Sequence, residues 1–340
     1  GSATITVGTP TSITVQPVSS VVICTGTSTT LSVTAVGTNL TYQWFNDQGI
    51  IAGETAATLV ANAVNNYYVV VSGACNNVSS AKSNVTNNII TSITTQPIAS
   101  ITSCVGSAVN MSVSAVGSNL TYQWFKGTTA IAGATNAVLT LSNIQTGTAD
   151  TYYVVVTGAC SNATSSNTTL VVNAPTTITV QPVSSAVICN GTNTVLSVTA
   201  IGSNLTYQWY NGGSIIAGAT SNTYTTTTTG NYYVLVSNSC NSEISSVATV
   251  TNNTDAVIVT QPAAVITCAG TSASFSVAAT GTNLTYQWYK GTTLIPGATS
   301  SIFTISNVQS LDAANYSVMV TGACNNVTSS TVSLTVNTPI

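Results

Sequence analysis

The chain has 340 residues, only 3% of them charged, with three Lys, no Arg, no His and a net charge of −3 at pH 7; ordinary soluble domains carry roughly 25% charged residues. Capture of nucleic acid or of an anionic membrane surface needs clusters of Lys and Arg, so this composition speaks against both. The lack of His removes the commonest general base, the Ser-His-Asp arrangement and His-ligated metal, and 340 residues are too many for one all-β core.

The hexapeptide NLTYQW stands unchanged at 39–44, 119–124, 204–209 and 283–288. It carries the chain's four Trp residues, Trp44, Trp124, Trp209 and Trp288, spaced 80, 85 and 79 residues apart. Such a period predicts one small domain per Trp. The hexapeptide alternates as a strand does, and each Trp is read as the centre of a core.

In chain order, ATITVGTPTSITVQP at 3–17 matches TTLVVNAPTTITVQP at 168–182, so residues 1–8 are expected to be the last strand of a preceding repeat. The repeats are then 9–88, 89–174, 175–252 and 253–340, the interior of a longer secreted protein. Gln-Pro pairs at Gln16-Pro17, Gln96-Pro97, Gln181-Pro182 and Gln261-Pro262 are read as linker marks, each closing an edge strand with a kink. A Cys just before a Gly, an alternating strand, a Gly turn and NLTYQW follow. After each Trp come a Gly-containing turn, the segment IAGET, IAGAT or IPGAT, a Thr-rich strand, a Tyr-bearing strand, a second Cys and a closing strand. Seven or so short strands with no helical period predict an antiparallel sandwich.

The six acids, Asp47, Glu54, Asp150, Glu243, Asp255 and Asp312, are scattered over the repeats, which argues against paired catalytic carboxylates and against calcium. Asp150 and Asp312, 162 residues apart, are read as turn caps at matching loop positions. No enzyme activity, cofactor or metal is expected. Tyr68, Tyr153 and Tyr233 point outward beside inward Tyr67, Tyr152 and Tyr232, available for sugar stacking but better suited to cross-strand packing. Asn-x-Ser/Thr triplets such as Asn39, Asn77, Asn84, Asn119 and Asn162 are glycan acceptors in form only, given how much Asn, Ser and Thr the chain holds. Eight Cys without His point to disulfides and an extracellular or cell-surface setting. No apolar run approaches the ~20 residues of a membrane helix.

The order Gly turn, strand, Gly, Tyr-x-Trp and then Leu-Asp-Ala-Ala-Asn-Tyr at 311–316 resembles the intermediate set of the immunoglobulin fold, in all four repeats. The resemblance implies an all-β fold: four tandem immunoglobulin-like antiparallel β-sandwiches in a rod-like array. It places the family's tyrosine corner on Tyr67, Tyr152, Tyr232 and Tyr316, with the preceding Asp kept only as Asp150 and Asp312. Thr/Asn-rich arrays of this kind look like the repeats of large surface or secreted proteins of Bacteroidota-like bacteria.

The chain departs from that family at the core disulfide. The implied positions hold Val33, Val113, Val198 and Val277, facing Val69, Val154, Val234 and Val318. The actual Cys residues fall at opposite ends of the implied sandwich, roughly 25 Å apart at ~3.3 Å per strand residue, whereas a disulfide needs Cα atoms within about 7 Å. The resemblance therefore implies bonds between neighbouring repeats: Cys24 to Cys160, Cys104 to Cys240 and Cys189 to Cys324, with Cys75 and Cys268 left for flanking domains. A different strand order would instead give Cys24 to Cys75, Cys104 to Cys160, Cys189 to Cys240 and Cys268 to Cys324.

The expected role is a structural repeat segment of an extracellular bacterial surface fibre, filament or adhesin stalk, stiffened by disulfides. A glycan- or receptor-binding adhesin module and a non-catalytic spacer of a secreted hydrolase are the alternatives. The partners are neighbouring repeats, other copies in a fibre, or surface glycans and receptors, with no nucleic acid and no membrane span. The Cys spacing is 51 in the first and third repeats and 56 in the second and fourth, so the genetic unit is a pair. A regular fibre of the parent protein should therefore show an axial repeat of two domains, ~70–90 Å at ~35–45 Å each; a one-domain repeat in averaged images would overturn the pairing.

Overall fold

The computed structural model describes residue 1 and residues 7–337. The expected closing strand at residues 1–8 falls largely on residues 2–6, which lie outside the described residues. The chain divides into two compact units, Gly1–Asn173 and Ala174–Ile340. Each unit contains two core clusters, and each cluster is centred on one Trp of NLTYQW.

The first repeat shows the plan. β1 (Ser12–Val15) pairs antiparallel with β4 (Thr34–Val36), and β3 (Thr29–Ser32) pairs with β7 (Thr58–Ala61). The facing sheet runs β2 (Ser20–Cys24), β10 (Ser83–Asn88), β8 (Asn65–Ser72), β5 (Thr41–Asn46) and β6 (Gly49–Ile50), with β9 (Asn77–Ser79) added to β8. These are the two sheets of an immunoglobulin-like sandwich.

Gln16-Pro17 does not mark a linker between repeats. It sits inside the repeat, where the chain leaves the β1–β4 pair and crosses to the other sheet as β2. Pro has no N–H for a ladder, so it ends one pairing, and Pro17 is buried in the step between sheets. Gln16 Oε1 accepts from the Ala81 N–H at 2.9 Å, tying this step to the approach to the closing strand of the same repeat. In the same way Gln96, Gln181 and Gln261 accept the N–H groups of Ser166, Ser246 and Ser330 at 2.8 Å.

The crossing makes one pairing parallel, not antiparallel. β2 lies alongside β10 with Ser20 opposite Asn84 and Cys24 opposite Asn88. The first and last strands of the repeat thus run the same way, and Cys24 ends up beside the residue where the chain leaves the domain.

Asn, Gln and Trp of NLTYQW have separate tasks. Asn39, Asn119, Asn204 and Asn283 hold φ between 52° and 57°, a left-handed conformation that Asn tolerates better than most side chains. Gly37 precedes it because a Cβ there would strike Leu40 and the Thr11 backbone. Gln43 Nε2 donates to the carbonyls of Trp44 and Ile51. Trp44, Trp124, Trp209 and Trp288 are fully buried, and each indole N–H donates to the carbonyl twelve residues on, at 2.9 Å. The valines at the sites of the missing core disulfide are buried too, with Val69, Val154, Val234 and Val318 directly opposite the Trp residues on the neighbouring strand.

The corner Tyr hydroxyls donate four residues back: Tyr67 to Ala63 at 3.0 Å, Tyr152 to Thr148 at 2.6 Å, Tyr232 to Thr228 at 2.9 Å and Tyr316 to Asp312 at 2.9 Å. The second and fourth repeats add a 3-10 turn before the corner, Thr146–Thr148 and Ser310–Asp312. Here the reading of Asp150 and Asp312 as equivalents is corrected. Asp312 stands four residues before its Tyr and accepts the Gln309 N–H, a place held in the second repeat by Thr148, whose hydroxyl accepts from Gln145. Asp150 stands two before its Tyr and accepts only the adjoining Thr151 N–H. A Thr hydroxyl and an Asp carboxylate cap the same turn, so matching by residue type selected the wrong pair.

Trp124→Ala is expected to destabilise the second repeat by ~3–5 kcal/mol, measured by native-state hydrogen exchange of the Val154 and Val156 amides in the intact chain. A loss below ~1 kcal/mol, the size of an ordinary substitution, would show that the indole is not the centre of that core.

Candidate functional site

The residues that set this chain apart are its cysteines, and within each unit the structure brings two of them together where one repeat meets the next. Within the first unit, the chain leaves β10 at Asn88 and is gripped at once by the second repeat. The Ile89 N–H donates to Ser118 Oγ at 2.9 Å, the Ser118 N–H returns to the Ile89 carbonyl at 3.2 Å, and the Thr91 N–H donates to Ser161 Oγ at 3.1 Å. The second unit repeats the grip: Thr254 N–H to Thr282 Oγ1 at 2.9 Å, and Ala256 N–H to Asn325 Oδ1 at 2.6 Å. The connection is therefore hydrogen-bonded backbone on its way into the next domain.

This grip brings the two cysteine positions together. Cys24 ends β2 opposite Asn88, and Cys160 lies in the turn after the Tyr strand Asp150–Thr157, with its Sγ 3.7 Å from the Asn88 carbonyl oxygen. Cys24 and Cys160 form a disulfide with Cα atoms 5.9 Å apart. Cys189 and Cys324 form the counterpart in the second unit, at 5.8 Å, with the Cys324 sulfur 3.6 Å from the Asn253 carbonyl. Cys104 and Cys240 each take part in a disulfide as well. Cys75 and Cys268 are free and exposed. Cys24 is thus not joined to Cys75, nor Cys268 to Cys324.

The other candidate groups do not converge. Among the described residues, no three His, Cys, Asp or Glu side chains come close enough to hold a metal ion. Asp47 pairs with Lys82 at 2.7 Å at the rim of an open groove of about 400 Å³ that Tyr68 also lines. The hydrogen bond from Lys82, then that from Asn66, holds the Asp47 carboxyl below its ordinary value. Glu243 accepts the Ile178 N–H at 2.7 Å and serves the sandwich itself. The outward Tyr68, Tyr153 and Tyr233 stack on Phe45, Phe125 and Tyr210 with ring centroids 5.2, 4.9 and 5.0 Å apart. One face of each ring is therefore taken by its cross-strand neighbour.

Ser80, Ser165, Ser245 and Ser329 were not singled out by sequence. Each hydroxyl accepts the N–H of the core valine opposite Trp (Val69, Val154, Val234, Val318) at 3.0 Å, filling the gap where the chain passes from the β9 position to the closing strand. A Ser eleven residues after that valine in every repeat is a readable signal. It was masked by the abundance of Ser around it.

Two sheets with this strand order, a tyrosine corner and a buried Trp repeated along one chain define a tandem array of immunoglobulin-like domains. Residues 10–89 and 175–253 match the family described as "Ig-like domain CHU_C associated". No curated protein matches the chain. Among solved structures, 73% of the chain aligns with 98% of the titin fragment I67-I69 in an E-to-A variant (TM-score 0.56, 17% identity). It aligns over the same shares with the I-band fragment I67-I69 from titin (TM-score 0.55, 16% identity). At these identities the likeness is one of fold.

Burial raises the phenols of Tyr67, Tyr152 and Tyr316 above their ordinary value, reinforced at Tyr152 by Asp150 and at Tyr316 by Asp312, and opposed at Tyr67 by the Ala63 hydrogen bond. A raised native value means that this stabilisation is intact below the unfolded phenol value and is lost as pH rises through the native one. Asp47 is lowered, so its contribution is lost only as pH falls through its native value, and exposure keeps it small. With no His, thermal stability should be flat between roughly pH 5 and 9 and fall in alkali. Tyr152→Phe should cost about 1 kcal/mol at neutral pH through the lost hydrogen bond and shrink the alkaline fall. Melting curves of chain with its free thiols alkylated check both; an unchanged alkaline fall would count against Tyr152 as its source.

Proposed function

We propose that this chain is a structural repeat segment of an extracellular bacterial surface fibre, filament or adhesin stalk, in which disulfides between consecutive domains remove hinge freedom. The observation that carries this reading is the Cys24–Cys160 bond, repeated as Cys189–Cys324. Tandem domains move about their linkers by default. A covalent tie between neighbours, added to a linker already hydrogen-bonded to the second repeat, leaves little room for that motion. The tie closes loops with sequence separations of 136 and 135, each worth roughly 4–5 kcal/mol in the chain-entropy description. Persistent disulfides suit an oxidising exterior. The bacterial setting rests on the Thr/Asn-rich repeat resemblance and on the family matched by the first and third repeats. Near-identical copies add reach without any one copy needing a binding site.

The double variant Cys24→Ser/Cys160→Ser should broaden the distribution of distances between the first two repeats in solution scattering and expose the Asn88–Thr91 connection to proteolysis. Its stability should drop by up to ~4–5 kcal/mol. A glycan array probed with the intact segment should show no selective binding. Unchanged scattering and protease resistance in the double variant, or one glycan class captured specifically, would overturn the structural reading.

A further inference from the structure

Of the eight cysteines, Cys75 and Cys268 alone are free, and both are exposed. Each occupies one half of a joint whose complete form exists twice in the same molecule.

Cys75 holds in the first repeat the place of Cys160 and Cys324. Its Sγ lies 3.5 Å from the Gly8 carbonyl oxygen, as the bonded sulfurs lie 3.7 and 3.6 Å from those of Asn88 and Asn253. The entry grip is complete there as well: the Thr9 N–H donates to Thr38 Oγ1 at 2.8 Å, and the Thr11 N–H to Asn76 Oδ1 at 2.7 Å.

Cys268 holds in the fourth repeat the place of Cys24 and Cys189. It ends the strand Val265–Cys268, which runs parallel to the closing strand with Cys268 opposite Asn337. The Ala269 N–H donates to the Asn337 carbonyl at 3.0 Å, as the Thr25 N–H does to that of Asn88. The Thr271 hydroxyl donates to the Cys268 carbonyl at 2.7 Å, as those of Thr27 and Thr192 do at 2.8 and 2.9 Å to Cys24 and Cys189. Both thiols thus sit in frames that, wherever else they occur in this chain, hold a disulfide-bonded sulfur.

We propose that the chain polymerises covalently, head to tail, through a disulfide between Cys268 of one copy and Cys75 of the next. The two half-sites are different and complementary, so the contact is heterologous and extends into an open filament wherever the copies do not close into a ring. The inference rests on the structural reading above and names its partner as a second copy of this chain. Bond formation is an exchange with a low-molecular-weight disulfide such as oxidised glutathione. The Cys75 thiol first takes up one half of it and releases one small thiol. The Cys268 thiolate then attacks the Cys75 sulfur, forming the protein S–S bond and expelling the second small thiol, so two protein thiols are oxidised and one small disulfide is reduced.

The full chain, incubated in an oxidised and reduced glutathione mixture, should give a ladder of dimer, trimer and higher species on non-reducing gels that collapses on reduction. Peptide mapping should find Cys268 linked to Cys75. The variants Cys75→Ser and Cys268→Ser should each fail to form the ladder, and a mixture of the two should stop at a dimer. Monomers with both thiols alkylatable, or links joining Cys75 to Cys75 or Cys268 to Cys268, would overturn the proposal. The same digests report whether Cys24 is linked to Cys160. If it is, absence of a ladder condemns polymerisation alone; if it is not, the structural reading fails as well.

Discussion

Burying a tryptophan completely requires a partner for its N–H, and in all four repeats that partner is the backbone carbonyl twelve residues further on. The bond fixes the connection after the β5–β6 hairpin and, with it, the depth to which the indole enters. The space beside the ring is filled by a valine on the neighbouring strand and a second valine across the sandwich. Those are the two places where the resembled fold carries its core disulfide. Because apolar packing closes the centre without a covalent bond, the cysteines serve at the ends of the domains.

The surface follows from the same economy of charge. Two ion pairs occur among the described residues, Lys82 with Asp47 at 2.7 Å, which is solvent-exposed, and Lys290 with Asp312 at 3.7 Å, which is partly so. Pairs of that kind contribute little. The polar work falls to hydroxyls and amides that bond the backbone: Thr side chains at strand ends, Asn at the entry grip, Gln at the step between sheets. Such bonds are short-ranged and uncharged, so they are indifferent to ionic strength.

The joint between repeats depends on the parallel pairing of β2 with β10. An antiparallel partner there would carry Cys24 away from Asn88. Running the first and last strands in the same direction puts the first cysteine at the exit, while the turn after the Tyr strand puts the second at the entry. The joint is then a meeting of two ends, each positioned by its own sandwich and by the backbone bonds of the connection between them.

What the sequence by itself determined is the repeat, its length and its centre. Four identical hexapeptides, a Tyr with backbone reach and valines at the disulfide positions are local signals, and each acts over a few residues or at a constant offset from the Trp. The wish of eight cysteines to pair was also legible, since composition alone decides it. Gln16-Pro17 and its counterparts, in contrast, read as linkers because Pro marks a break without saying what is broken; only the sheet assignment shows the chain changing sheets inside a repeat. Asp150 and Asp312 looked equivalent by residue type, while the turn is capped by whichever acceptor stands four residues before the Tyr. The meeting of Cys24 with Cys160, 136 positions apart, was legible only through the family resemblance, and the bond between Gln16 and Ala81 and the service of Ser80 to Val69, 65 and 11 positions apart, were not read at all. Those distances are closed by the tertiary fold, since a strand's neighbours are set by the order in which strands enter the sheets and not by the spacing of residues along the chain.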